Sequence, residues 1–246
     1  FAENRRRIRS RLPDALVMPM VPKARNWKMN AFMVAAACRW MKPQGIMARG
    51  VFATWIAQRM RERQLVQRVC FDARGAYAAE WEEYRIIDDE GLIKQMRPLE
   101  EQAVLRSDFR LAVTNALVAH WRERYGYMGD EHVVIPCLLG EDAAGSGGGG
   151  EMRRRLGYTD DDVVLVYAGS TAGWQSFNAL GGLLGQLLDA QPRAKVLFLS
   201  KPDVHTHALT QRFPGRVAVR WLDPTDVAAA LGSCDHGILV REGSLT

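Results

Sequence analysis

Gly169 and Ser170 follow an apolar run, Asp162 to Ala168, and precede Thr171-Ala172-Gly173 and a helix-like segment from Trp174. Glycine lets a ligand approach the backbone, and the unpaired N–H groups of a helix start attract phosphate. The same residues also fit a plain strand-to-helix turn with a hydroxyl cap. Lys201 follows Ser200 at the end of a second apolar run, where it can put a point charge on a phosphate or simply lie in a loop. Arg241-Glu242 follow the last apolar run; Glu242 suits hydrogen bonds from sugar hydroxyls, and equally a surface position. In the first half, Asp72 and Arg74 end the strongest strand-like run, with Glu80 one or two helical turns further on. Asp72, Arg74 and Glu80 are the candidate catalytic residues, with Asp72 and Arg74 expected as an ion pair that either orients a substrate or braces a loop. The chain has no GxxxxGK[ST], no GxGxxG that directly follows a strand-like run, no nucleophile elbow and no Ser-His-Asp set. His205 and His207 diverge if they are helical, so no metal site is expected.

These residues need elements to position them, and the hydrophobic pattern supplies an alternation of strands and helices. In the first half, Ala15–Met20 reads as a short strand and Trp27 to Trp40 as an apolar helix. Gly45–Ala48 reads as a strand, Val51 to Arg63 as a helix, and Leu65 to Phe71 as a buried strand. Glu90–Ser107 is helical in pattern, Arg110–Val113 a strand, Asn115–Tyr125 a helix, and His132–Ile135 a strand before Pro136. The segment Gly140–Gly150 has no apolar periodicity and contains four consecutive glycines, so it reads as a linker. Beyond it, strands are expected at 162–168, 195–200, 216–221 and 237–240, with helices at 174–190, at 204–213 and from Asp223-Pro224. Such alternation implies parallel sheets wound by crossover helices, whose ligands sit beyond the carboxyl ends of the strands. The domains expected are 1–139, a hinge at 140–150, and 151–246.

Composition excludes several classes. The 246 residues are 48% hydrophobic and 25% charged, ordinary for a globular protein and unlike a disordered or collagenous one. The longest uninterrupted apolar run, Ala31–Cys38, is far short of a bilayer span. Cys38, Cys70, Cys137 and Cys234 are widely separated, which suits a reducing compartment rather than a disulfide framework. The net charge of +5 is unevenly placed: residues 1–60 carry twelve Lys and Arg against Glu3 and Asp14, a balance of +10, and the remainder is −5. A basic front half attracts phosphate or anionic lipid headgroups. Nucleic acid is the weaker expectation, because no zinc-finger, KH or RNP signature and no interleaved aromatics are found.

The segments FDARGAYAAEW (Phe71–Trp81), LAVTNALVAHWRERYG (Leu111–Gly126), VIPC (Val134–Cys137), VLVYAGSTAGWQ (Val164–Gln175) and CDHGILVREGSLT (Cys234–Thr246) together resemble bacterial glycosyltransferases of the GT-B fold. The likeness is to retaining family 4 enzymes of surface-polysaccharide and lipopolysaccharide synthesis, and it runs in order along nearly the whole chain. It implies an α/β protein of two Rossmann-like parallel-sheet domains facing a cleft, both incomplete, because the family's opening strand and glycine-rich loop would precede Phe1. It also implies a nucleotide-sugar donor (a UDP- or GDP-sugar) on the second domain, a glycan or lipid-linked acceptor on the first, transfer with retention, no metal and no tightly bound cofactor. On the donor side the resemblance points to Gly169 and Ser170, to Gln175 where the family carries a basic residue, to Lys201 and Arg241 for charge, and to Glu242 near the start of the family's acidic motif. The implied location is cytoplasmic, peripheral to the inner face of the membrane. A nucleotide-sugar 2-epimerase of the same architecture, a non-catalytic basic binding module and a dehydrogenase-like protein are the alternatives, the last disfavoured by the missing fingerprint.

Overall fold

In a computed structural model the chain is described at residues 2–21, 23–84, 87–138, 149–169 and 176–240. It divides into two compact units, Phe1–Cys137 and Leu138–Leu245.

The first unit starts with helix α1 (Ala2–Arg11), a 3-10 turn (Ala24–Met29) and α2 (Asn30–Met41). Then come β1 (Gly45–Arg49), α3 (Val51–Glu62), β2 (Arg68–Asp72), α4 (Tyr77–Tyr84), α5 (Glu90–Arg106), β3 (Phe109–Ala112), α6 (Asn115–Tyr125) and β4 (His132–Val134). The four strands are parallel, in the order β1-β2-β3-β4. Gly50 starts α3 at φ 78°, a left-handed conformation that glycine adopts without the Cβ penalty. The starts of α5 and α6 are capped by Asp89 and Thr114, whose side chains accept from the N–H groups of Leu92 and Leu117. The core is continuous around β2, where Val69 and Phe71 are fully buried among Met60, Met96, Val104 and Trp121. The strand expected at Ala15–Met20 is irregular chain instead. Pro19 lacks the N–H that a sheet ladder needs, and the segment instead lines an apolar cavity of about 650 Å³ with Trp27, Ile46 and Phe52.

The second unit comprises α7 (Gly149–Arg155), β5 (Val163–Ala168), α8 (Phe177–Ala190), β6 (Ala194–Leu199), α9 (Val204–Arg212), β7 (Val217–Arg220), α10 (Pro224–Leu231) and β8 (His236–Gly237). Its sheet is also parallel, in the order β7-β6-β5-β8. Successive residues of β6 point to opposite faces. Val196 and Phe198 pack on one face with Leu180, Leu184 and Leu188 of α8, and Leu197 and Leu199 pack on the other with Met152, Tyr158 and Ala230. Two limits differ from expectation. Gly149 and Gly150 open α7 rather than end a linker, because Met152 is drawn into the core; positions 139–148 lie outside the described residues. The last strand is His236–Gly237 rather than 237–240, although the Ile238 N–H still bonds the Val166 carbonyl at 2.8 Å.

Candidate functional site

In the first unit the candidate residues gather beyond the carboxyl ends of β1 and β2. The parallel register puts Arg49, the last residue of β1, directly beside Asp72, the last residue of β2. Arg49 Nε donates to Asp72 Oδ2 at 2.8 Å, and the Asp72 side chain is 9% exposed. The main chain locks the same corner, since Gly50 N–H bonds the Asp72 carbonyl at 3.1 Å and the Thr54 hydroxyl bonds the Gly50 carbonyl at 2.8 Å.

The expected Asp72–Arg74 ion pair is therefore replaced by Asp72–Arg49. Arg74 lies past the strand, on the turn, and its side chain is exposed. Its backbone N–H donates to the Tyr77 hydroxyl at 3.3 Å, and the same hydroxyl lies over Gly50, 3.5 Å from where a Cβ would stand. Glu80, on the first turns of α4, folds its carboxylate back against Gly75, and burial pushes its carboxyl above the usual range. Asp72, Tyr77 and Glu80 thus belong to one corner, a set of oxygens suited to hydrogen-bonding hydroxyl groups.

What holds α4 in place is a residue the sequence did not single out. Glu100, fully buried on α5, accepts from the N–H groups of Tyr77 and Ala78 at 3.1 and 2.8 Å and from the Tyr125 hydroxyl at 3.0 Å. Burial raises its pKa to about 7 in spite of those three donors. Neither Glu100 nor Arg49 carries a local signal beyond its type. Arg49 was legible only as a charged residue ending a strand, and Glu100 only as a polar residue within a helical pattern.

In the second unit the chain runs β5, β6, β7 outward to one side and then returns to lay β8 on the other side of β5. This reversal makes the carboxyl ends of β5 and β8 a topological switch point, where open parallel sheets bind ligands. Gly169 stands at that end, its N–H on the Leu199 carbonyl at 3.3 Å, and a Cβ at this position would lie 3.3 Å from the Tyr167 hydroxyl. Next to it, at the end of β6, the Ser200 hydroxyl is buried and has no hydrogen-bond partner among the described residues, and no sequence signal marks it beyond its place at a strand end. Lys201 reaches over the Trp221 ring, with its Nζ 5.2 Å from the centroid. Ser170, Gln175, Arg241 and Glu242 lie outside the described residues. His205 stacks 5.2 Å from Phe177, and among the described residues no three His, Cys, Asp or Glu side chains are grouped to hold a metal.

No protein-family model and no curated protein matches the sequence. Solved structures do match. Sucrose-phosphate synthase from Thermosynechococcus elongatus superposes with a TM-score of 0.71 at 13% identity, covering 95% of this chain and 60% of that one. Anabaena HepE, solved in complex with UDP and glucose, gives 0.67 at 11% identity over 91% and 59%. A glycosyltransferase from Rickettsia africae gives 0.66 at 15% over 93% and 60%. The chain has the GT-B glycosyltransferase fold. It spans about 60% of the length of these structures.

Proposed function

We propose that the chain is part of a glycosyltransferase that moves a sugar from a nucleotide-sugar donor to a glycan or lipid-linked acceptor. The observation that carries this reading is the second unit's switch point. There Gly169, the buried Ser200 hydroxyl, which has no hydrogen-bond partner among the described residues, and Lys201 stand together at adjoining strand ends. A solved structure of the same fold, HepE, holds UDP and glucose, which favours a UDP-sugar over a GDP-sugar here.

In this reading the donor diphosphate takes the backbone at Gly169 and Ser170, with Lys201 and Arg241 for charge, Gln175 as a further polar contact and Glu242 on sugar hydroxyls. The positive end of α8 and the Lys201 ammonium stabilise the leaving diphosphate as its charge grows, and this is the protein's main contribution to rate. The acceptor sugar is held by Asp72, kept in place by Arg49, together with the Tyr77 hydroxyl and Glu80. Arg74, exposed on the same turn, contacts a charged group of the acceptor. The chemistry proposed is retaining, hexosyl-transferring and metal-independent, of the family 4 type used in surface-polysaccharide and lipopolysaccharide synthesis, on the cytoplasmic side. The domain limits proposed are 1–139 and 151–246, with 140–150 as hinge.

The test is product analysis with radiolabelled UDP-glucose and GDP-mannose and a lipid and glycan extract as acceptor. The expected result is label in the extract with the donor's anomeric configuration, lowered at least about tenfold by Asp72→Asn, the scale of one lost transition-state hydrogen bond. A 2-epimerised nucleotide sugar with no labelled second product would overturn it.

A further inference from the structure

Helix α4 begins at a buried point, where Ala76 and Ala78 are 6% and 5% exposed. Alanine at position 76 offers no side-chain acceptor, so the unpaired N–H groups that open the helix depend on a residue elsewhere in the fold. Glu100 is that residue: Oε1 accepts from the Tyr77 N–H and Oε2 from the Ala78 N–H. Oε2 also accepts from the Tyr125 hydroxyl, so one carboxyl ties α4, α5 and α6 together. The turn it holds carries two of the oxygen groups around Asp72. The Tyr77 hydroxyl takes the Arg74 N–H and lies over Gly50, and the Glu80 carboxylate folds against Gly75.

The groups that face Glu100 decide how this hold responds to pH. Tyr77 and Glu80 face it from α4 and Tyr125 from α6, and Asp72 of β2 bears on Tyr77. Tyr125 in turn feels Arg97 of α5 and Arg124 of α6, and His120, held neutral by burial, lies edge-on to its ring at 6.0 Å. Helix α3 presents an uncharged side chain to α5, Gln58, bonded to Gln102. Burial outweighs the three donors and raises the Glu100 carboxyl to about 7. When the turn opens, water reaches the carboxyl and its pKa falls back toward 4.5. The closed turn therefore keeps a proton that the open one has released. Its hold is full below pH 4.5 and weakens as pH rises through about 7.

We propose that Glu100 is a positioning residue for the acceptor, holding the first turn of α4 so that the Tyr77 hydroxyl and the Glu80 carboxylate stand beside Asp72. This rests on the transfer reading and adds to it a residue that touches no substrate. Transfer from UDP-glucose to the lipid and glycan extract tests it. Glu100→Ala strands two buried N–H groups and should raise the extract dose for half-maximal transfer about tenfold. The maximal rate and the half-saturating UDP-glucose concentration should stay within about twofold. Glu100→Gln keeps a carbonyl oxygen and should recover most of the loss. Amide exchange reads the same hold without substrate. Protection of the Tyr77 and Ala78 amides should fall about tenfold between pH 6 and pH 8, and stay level in Glu100→Gln. Level protection in the unsubstituted chain would overturn the proposal, even if Glu100→Ala fails to fold. Transfer in which Glu100→Ala leaves the extract dose unchanged, or raises donor and extract requirements alike, would overturn it and leave the transfer reading standing. No labelled product from the unsubstituted chain would overturn the transfer reading and this role with it.

Discussion

Asp72 owes its place to a neighbour 23 positions away in sequence, and this decides which substitutions disturb it. Arg49→Met removes the only cation that pairs, among the described residues, with a largely buried carboxylate, whereas Arg74→Ala removes an exposed side chain with no ion pair among them. In urea melts we expect Arg49→Met to lower the midpoint and Arg74→Ala to leave it in place; the reverse would restore the pairing expected from sequence. Glu100 makes a second residue-scale prediction. Its folded pKa of about 7 lies above its ordinary 4.5, so the folded chain keeps a proton that the unfolded chain has already released. The stability this brings is full below pH 4.5 and is lost as pH rises through about 7, a fall of about 3 kcal/mol at most. Unfolding free energies at pH 5 and 8 check it: the drop should shrink in Glu100→Gln, and an equal drop in both proteins would show that another group titrates.

At the scale of elements, most of the fold was legible because its elements carry strong local patterns. β2, β5 and β6 carry the apolar runs Val69–Phe71, Val163–Ala168 and Val196–Leu199, and α8 places Leu180, Leu184 and Leu188 at helical spacing on the buried side. What the sequence hid was set by distant partners. Helix α4 is only eight residues long and starts where Glu100 offers acceptors to its first N–H groups, so its start was set by a residue distant in sequence. The Asp72 pairing was hidden for the same reason, since strand register, rather than closeness along the chain, set Arg49 beside it. Two glycines test how these elements shape the corner around Asp72. Gly50→Ala forces a left-handed residue beside Tyr77 and should cost about 1–2 kcal/mol in unfolding free energy. Gly75→Ala meets only the far end of the Glu80 side chain, so a crystal structure of the variant should show the carboxylate displaced with the backbone unmoved. A loss of stability equal to that of Gly50→Ala would mean that the Glu80 position is fixed rather than adaptable.

For the molecule as a whole, the second unit carries a switch point and the first a corner of oxygen-bearing side chains around Asp72. The charge asymmetry was visible in the sequence, but which side of α2 faces outward was not. The run from Trp27 to Trp40 reads as one apolar helix, and only burial separates its inward from its outward side chains. The claim on which the rest depends is that the second unit seats a nucleoside diphosphate through Lys201. Thermal melting of the chain with UDP, GDP, ADP, dTDP and NAD tests it most directly. We expect one nucleoside diphosphate, UDP before the others, to raise Tm by about 3 °C or more at saturation, NAD to leave it unmoved, and Lys201→Ala to remove most of the shift. No shift with any diphosphate, or a shift that Lys201→Ala leaves intact, would contradict the account.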